Sequence, residues 1–305
     1  MRLLRYARND ILWLLLLTTL VSRLTLLYGA FQQTSLSVPA KGLGGAYVGL
    51  ADDASAMFIN PAGVANITHK EAAFSYGKPF YGLPGIDLSQ GYISLTFPTL
   101  YGSIGLGGTN FAVADLMTES TWSLVYAKKV HKVQFGIGAS YLSHSFNLDS
   151  ASQQDVVLAK GTSKDAYGID FGLLAQPLSF LSLGFSVRHA NEPNVGFFTK
   201  DPVPREVRWG GAVKYRSFDF LADANYRDNG IGSRSDHLSY HFGIAENIPN
   251  APITLRLGAN TKRELTTGFG FGAQGIRIDY AFVFSRDLYQ DNMGSHLLSL
   301  SYRWQ

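Results

Sequence analysis

Beyond residue 70, apolar and polar side chains alternate over one stretch after another, each about ten residues long, and this period of two limits the chain to half-buried β-strands. Residues 275–286 show it well. Ile276, Ile278, Tyr280, Phe282 and Phe284 fall on one face, against Arg277, Asp279, Ala281, Val283 and Ser285 on the other. Within 131–146, Val133, Phe135, Ile137, Ala139 and Tyr141 oppose Gln134, Gly136, Gly138, Ser140 and His144. In the closing stretch Leu298, Leu300, Tyr302 and Trp304 oppose Ser299, Ser301 and Arg303. Fourteen segments read this way: 70–77, 87–97, 99–109, 119–129, 131–146, 164–176, 179–190, 204–215, 217–227, 236–248, 251–261, 264–272, 275–286 and 294–304.

A water-soluble sandwich alternates equally well, so two further features decide. The large aromatics share the apolar face while glycine, serine and charge occupy the other, the reverse of a barrel with a dry interior. The connections also alternate in length. Pro98, 129–131, 177–178, Arg216 and 249–250 are short, whereas 78–86, 110–118, 147–163, 191–203, 228–235 and 287–293 are long. Lys262-Arg263 breaks the rule on the long side. Short periplasmic turns and long outer loops are the outer-membrane pattern. We expect an all-β fold, a 14-stranded antiparallel transmembrane β-barrel in a bacterial outer membrane, closed because an open edge in hydrocarbon leaves backbone groups unpaired. The even strand number places both chain ends on the periplasmic side.

The chain ahead of residue 70 reads differently. Arg2, Arg5 and Arg8 precede an apolar run over 11–21 that Arg23 interrupts, the order of an export signal and short for a membrane span. Residues 1–30 are expected to be a signal peptide cut between Ser22 and Ala30, residues 31–69 a plug inside the barrel, and 70–305 the barrel. Without the leader, 22 basic residues face 22 acidic ones, so no basic footprint for nucleic acid exists. There is no cysteine, which excludes disulfides and thiolate chemistry. No Gly-x-Ser-x-Gly, phosphate-binding loop or His-Glu-x-x-His occurs, and His237 and His241 lack further ligands for a metal. No enzyme, cofactor or metal site is expected.

Residues 42–66, GLGGAYVGLADDASAMFINPAGVAN, are rich in small residues, with adjacent carboxylates at Asp52 and Asp53 and an Asn60-Pro61-Ala62-Gly63 corner. With HLLSLSYRW at 296–304, this stretch resembles the FadL-like superfamily of outer-membrane barrels, the long-chain fatty-acid transporters and the PorV/PorQ group. The pieces that carry the resemblance are Gly44-Gly45-Ala46, Ala51 to Ala56, and Asn60 to Gly63. Gly44, Gly45 and Gly63 are expected to permit positive φ or close backbone approach, and Pro61 to fix the corner after Asn60. Charges expected to face the lumen are Asp170, Arg188, Glu206, Arg208, Lys214, Asp223, Arg227, Arg256, Arg277, Asp279 and Arg303. A carboxylate inside the lumen needs a partner, so Asp52 or Asp53 is expected to pair with Arg208, Arg256 or Arg277.

The resemblance implies two functions. One is passive uptake of a hydrophobic small molecule, with Met57, Phe58 and Ile59 as candidate pocket and Phe197 and Phe198 as a landing site. The other is a role in type IX protein secretion, in which loops 147–163 and 191–203 bind exported cargo or machinery. The expected partners are membrane lipid with either a hydrophobic ligand or secretion-system proteins. The sequence favours uptake.

Overall fold

In the computed structural model, residues 30–31, 37–147, 161–197, 199–227, 237–286 and 292–305 are described. Fourteen antiparallel strands close into one barrel. They are β1 (Lys70–Lys78), β2 (Leu88–Thr99), β3 (Gly102–Val113), β4 (Met117–Val130), β5 (Val133–Phe146), β6 (Ser163–Leu178), β7 (Leu181–Arg188), β8 (Glu206–Tyr215), β9 (Phe218–Arg227), β10 (Leu238–Asn247), β11 (Ile253–Asn260), β12 (Glu264–Ala273), β13 (Ile276–Ser285) and β14 (Ser295–Trp304). Each pairs with its sequence neighbours, and β1 closes on β14 in the register Lys70↔Trp304 to Lys78↔His296.

The alternation resolves as the expected inside-out arrangement. Phe74, Ile93, Trp122, Phe135, Phe171, Phe185, Phe242, Leu257 and Leu298 stand exposed on the outer face, where lipid takes the place of a core. The buried side chains on the inner face include Glu71, Gln134, Asp170, Arg208, Asp223, Arg256 and Asp279.

Three connections differ from the sequence reading. Pro177 and Leu178 belong to β6 rather than to a turn, and the chain reverses at 179–180. Pro98 is not a turn: β2 runs through it, paired with Ser103, and the turn lies at 100–101. Proline is tolerated there because it sits next to the strand end, where one lost donor costs little. The connection at 110–118 is short rather than long, because β3 continues to Val113 and β4 starts at Met117. Asp115 turns the chain there at φ 60. The Lys262-Arg263 hairpin is real, with Arg263 at φ 60. Loops 148–160 and 228–236 lie outside the described residues.

Residues 37–69 form helix α1 (Val38–Gly42) and two 3-10 turns, Ala54–Phe58 and Pro61–Asn66. Each start is capped by a side chain, from Ser37, Asp53 and Asn60 respectively, and Pro39 and Pro61 stand in the first turns. Short capped turns suit a segment crowded with small residues and too brief for a stable long helix.

Candidate functional site

The head segment meets the inner wall chiefly through its own backbone. The N–H groups of Tyr47 and Val48 donate to one oxygen of Asp223 at 2.6 and 2.8 Å. Arg208 donates to the Gly45 carbonyl at 3.0 Å and to Glu206 at 2.9 Å. The Gly44 carbonyl accepts from His241 Nδ1 at 2.7 Å and from Asn260 at 3.2 Å, while Gly44 N–H donates to Thr266 at 2.9 Å. Further along, Asn60 Nδ2 donates to the carbonyls of Val48 and Leu173 at 2.9 and 3.1 Å, and its Oδ1 accepts the Ala62 N–H. Glu71 accepts from Ala54 N–H at 3.3 Å and from Arg303 on β14 at 3.1 Å.

Glycine supplies the fit on both sides. Gly44 and Gly45 adopt φ of +68 and +93, which put their carbonyls within reach of the wall. At Gly63 a Cβ would lie 2.5 Å from the Ala51 carbonyl oxygen. The facing wall is pared down too: a Cβ would stand 2.0 Å from Val48 O at Gly184, 2.3 Å from Pro61 C at Gly136 and 2.3 Å from Asn60 Oδ1 at Gly172. The inward glycines of β5, β6 and β7 are a seat for the head.

The expected carboxylate–arginine pairs do not form across this contact. Asp52 accepts the Tyr47 hydroxyl at 2.7 Å, and Asp53 caps the Ala54–Phe58 turn through the Ser55 N–H. Arg256 and Arg277 instead pair with Asp279, at 2.8 and 2.9 Å. The wall neutralises its own charges, and that leaves Asp53 under strain: burial, then the nearby Glu71 and Asp52, push its carboxyl up to about 7. Asp170 accepts from Ser140 and from the His189 N–H.

Met57 and Phe58 pack with Ala73, Tyr92 and Val125, whereas Ile59 belongs to a second cluster with Leu43, Tyr47 and Leu174. All three are buried against the wall. Inside the barrel the space left beside the head is polar. A chamber of about 250 Å³ at the short-turn end is lined by Asp52, Asp53, Lys214, Arg256, Arg277 and Arg303, and a gap of about 30 Å³ towards the long-loop end touches Phe58, Glu119, Arg188 and Arg227. An apolar hollow of about 290 Å³ is found on the outer face, bordered by Phe74, Tyr76, Ile93 and Trp122.

Connection 191–203 folds inward, burying Val195 and Val203, and Phe197 packs on His144 and Phe146. Phe198 lies outside the described residues.

Sequence reasoning missed Glu71, Asn260, Thr266 and the wall glycines as partners of the head. Glu71 was legible as a polar residue in step with Ala73 and Ser75, on the small-residue face of β1.

The profile of the family described as type IX secretion system membrane protein PorP/SprF matches residues 54–302. The chain belongs to this family. Its barrel is also similar to solved structures of toluene transporters. The Ralstonia pickettii toluene transporter TbuX aligns at 12% identity with a TM-score of 0.64, covering 90% of this chain and 100% of that one. The Pseudomonas putida toluene transporter TodX aligns at 13% identity and 0.61, covering 90% and 99%. At such identity the likeness is one of fold. No curated protein sequence matches. The PorP/SprF membership and the transporter-like barrel agree with the superfamily resemblance read at the two ends, and together they place the protein in the bacterial outer membrane.

Proposed function

We propose that this PorP/SprF-family barrel is an outer-membrane component of type IX secretion that binds machinery or cargo with its lumen closed by the head segment acting as a plug. The observation that carries this reading is the filling of the lumen. The head is tied to the wall by charged and neutral hydrogen bonds along its length, and the space beside it is lined by carboxylates, arginines and lysine. A hydrophobic solute needs a largely apolar site with few polar groups, and a chamber of this kind disfavours it. Uptake of such a solute is the second reading, favoured by the toluene-transporter fold. Deleting the gene and following cargo at the cell surface, alongside hydrocarbon uptake by liposomes holding the pure protein, separates the two. Lost cargo display with no uptake is the expected result. Intact display together with saturable uptake would overturn it.

A further inference from the structure

The apolar hollow of about 290 Å³ on the outer face interrupts an otherwise ridged wall. Two rows of outward positions cross it in strand register. One runs Phe74, Ile93, Gly108, Trp122, and the next, one step towards the outer strand ends, runs Tyr76, Gly91, Asn110, Ser120. The four large side chains stand half exposed around it, and the two glycines leave its floor to bare backbone. Neither glycine has room for a side chain. A Cβ would lie 2.8 Å from the Trp122 ring at Gly108 and 2.3 Å from the Ser75 carbonyl oxygen at Gly91. From inside, Tyr92 packs on Phe58 of the head with ring centroids 5.5 Å apart, which braces β2 behind the hollow. The concavity is thus built into the fold, and a preformed site costs less ordering to fill.

Depth and chemistry name the occupant. Trp122 pairs sideways with Tyr141, and Tyr141 with Tyr167, an aromatic girdle of the kind that marks the boundary between hydrocarbon and head groups. The hollow straddles that boundary and is continuous with the face that lipid covers. Phe74 and Ile93 lie on its hydrocarbon side. Its outer edge carries Ser89, Asn110 and Ser120, with Asn110 Nδ2 donating to Ser120 Oγ at 3.0 Å. No residue bordering the hollow is charged. An apolar concavity with a few polar groups gathered at one end has the build of a ligand site. Hydroxyl and amide groups there match the ester carbonyls and hydroxyls of a lipid rather than its phosphate.

We propose that this hollow holds one lipid of the outer leaflet, with a segment of acyl chain over Gly91 and Gly108 and its ester or hydroxyl groups on Ser89, Asn110 and Ser120. Lipid along the rest of the wall exchanges freely, whereas the lipid seated here stays with the barrel. The inference rests on the outer-membrane location and is independent of the secretion reading.

Replacing Trp209 and Trp304 by Phe leaves Trp122 as the one tryptophan after the leader. A phosphatidylcholine dibrominated near the ester end of one chain, titrated into this protein in detergent, should quench Trp122 and saturate at one lipid per barrel. A companion that keeps Trp209 on β8 instead, with Trp122→Phe and Trp304→Phe, should be quenched only in proportion to bulk lipid. Asn110→Leu should raise the lipid concentration needed for half-quenching of Trp122 by about two- to tenfold, the loss of one neutral hydrogen bond. Quenching of Trp122 that never saturates, or that follows Trp209 at every ratio, means ordinary solvating lipid and overturns the proposal. So does a Trp122 that brominated lipid never reaches, as when a second copy covers this face. Should Asn110→Leu fail to assemble, the two single-tryptophan proteins decide alone.

Discussion

One oxygen of Asp223 lies 2.6 Å from the Tyr47 backbone nitrogen, and the same oxygen holds the next N–H, that of Val48. The barrel wall thus offers a carboxylate to the head's main chain, and the head's own carboxylates look elsewhere. Replacing Asp223 by Asn leaves one oxygen to accept both N–H groups but takes away its charge. With charge-assisted bonds contributing about 1.5–3 kcal/mol and neutral ones about 0.5–1.5 kcal/mol, docking of the head should weaken by about 1 kcal/mol per bond. Limited proteolysis within 42–66, compared with wild type, reads the change.

Asn60 makes a second test, because its amide is satisfied in one orientation only: two donors on carbonyls and one acceptor on Ala62. Asn60→Asp keeps the size and sets an acceptor against the carbonyls of Val48 and Leu173. We expect it to loosen the head more than Asn60→Ala does, by about 1–3 kcal/mol in each case. Hydrogen exchange at Val48 and Ala62 should rise in that order.

The wall side is equally sensitive. Gly184→Ala places a methyl group 2.0 Å from the Val48 oxygen, so the head or β7 must shift. The expected cost is about 1–3 kcal/mol, with the barrel itself still closed. Heat-modifiable migration on a gel should stay normal while the head becomes protease-sensitive. Unfolding of the barrel as well would contradict the assignment of Gly184 to the seat.

Docking should also respond to pH through Asp53. Burial, with Glu71 and Asp52 nearby, pushes the docked carboxyl up to about 7, and released into water it returns to its ordinary 3.8. Between those values the docked state holds the extra proton, so this group favours docking fully below 3.8 and progressively less as pH rises to about 7. Asp53→Asn should flatten that part of the profile, measured as protease resistance of the head from pH 4 to 8.

Leu257 on the lipid face provides a control for orientation, at 64% exposure mid-strand on β11. Leu257→Arg should destabilise the inserted barrel by about 2–4 kcal/mol, as arginine does near the bilayer midplane. Folding titrations into lipid vesicles in urea measure it.

The fold was legible because a period of two is a local property. The runs ending in Trp304 and flanking Arg277 state their inward and outward sides without any partner, and all fourteen segments stand where the alternation put them, with ends moved by a few residues. The misjudged connections, at Pro98, 110–118 and 177–178, lie where alternation fades near a strand end and turn residues alone had to set the limit. The site was legible only in kind. Gly44, Asn60 and Pro61 announce a tightly turned head, but which wall residue meets which amide depends on strand register around a closed cylinder. No single segment encodes that. Reasoning by charge joined Asp52 or Asp53 to an arginine because opposite signs attract; Asp279 stands nearer to Arg277, two residues away on β13, and to Arg256 on β11, across β12, and takes both.

Glu71 touches Ala54 with one oxygen and Arg303 with the other, and Arg303 lies on β14, the strand that closes the barrel against β1. The final stitch of the cylinder is therefore made on a residue already committed to the chain's beginning. The seam between the first and last strands and the seating of the Ala54 turn thus share one carboxylate, so a change at Glu71 loosens both together.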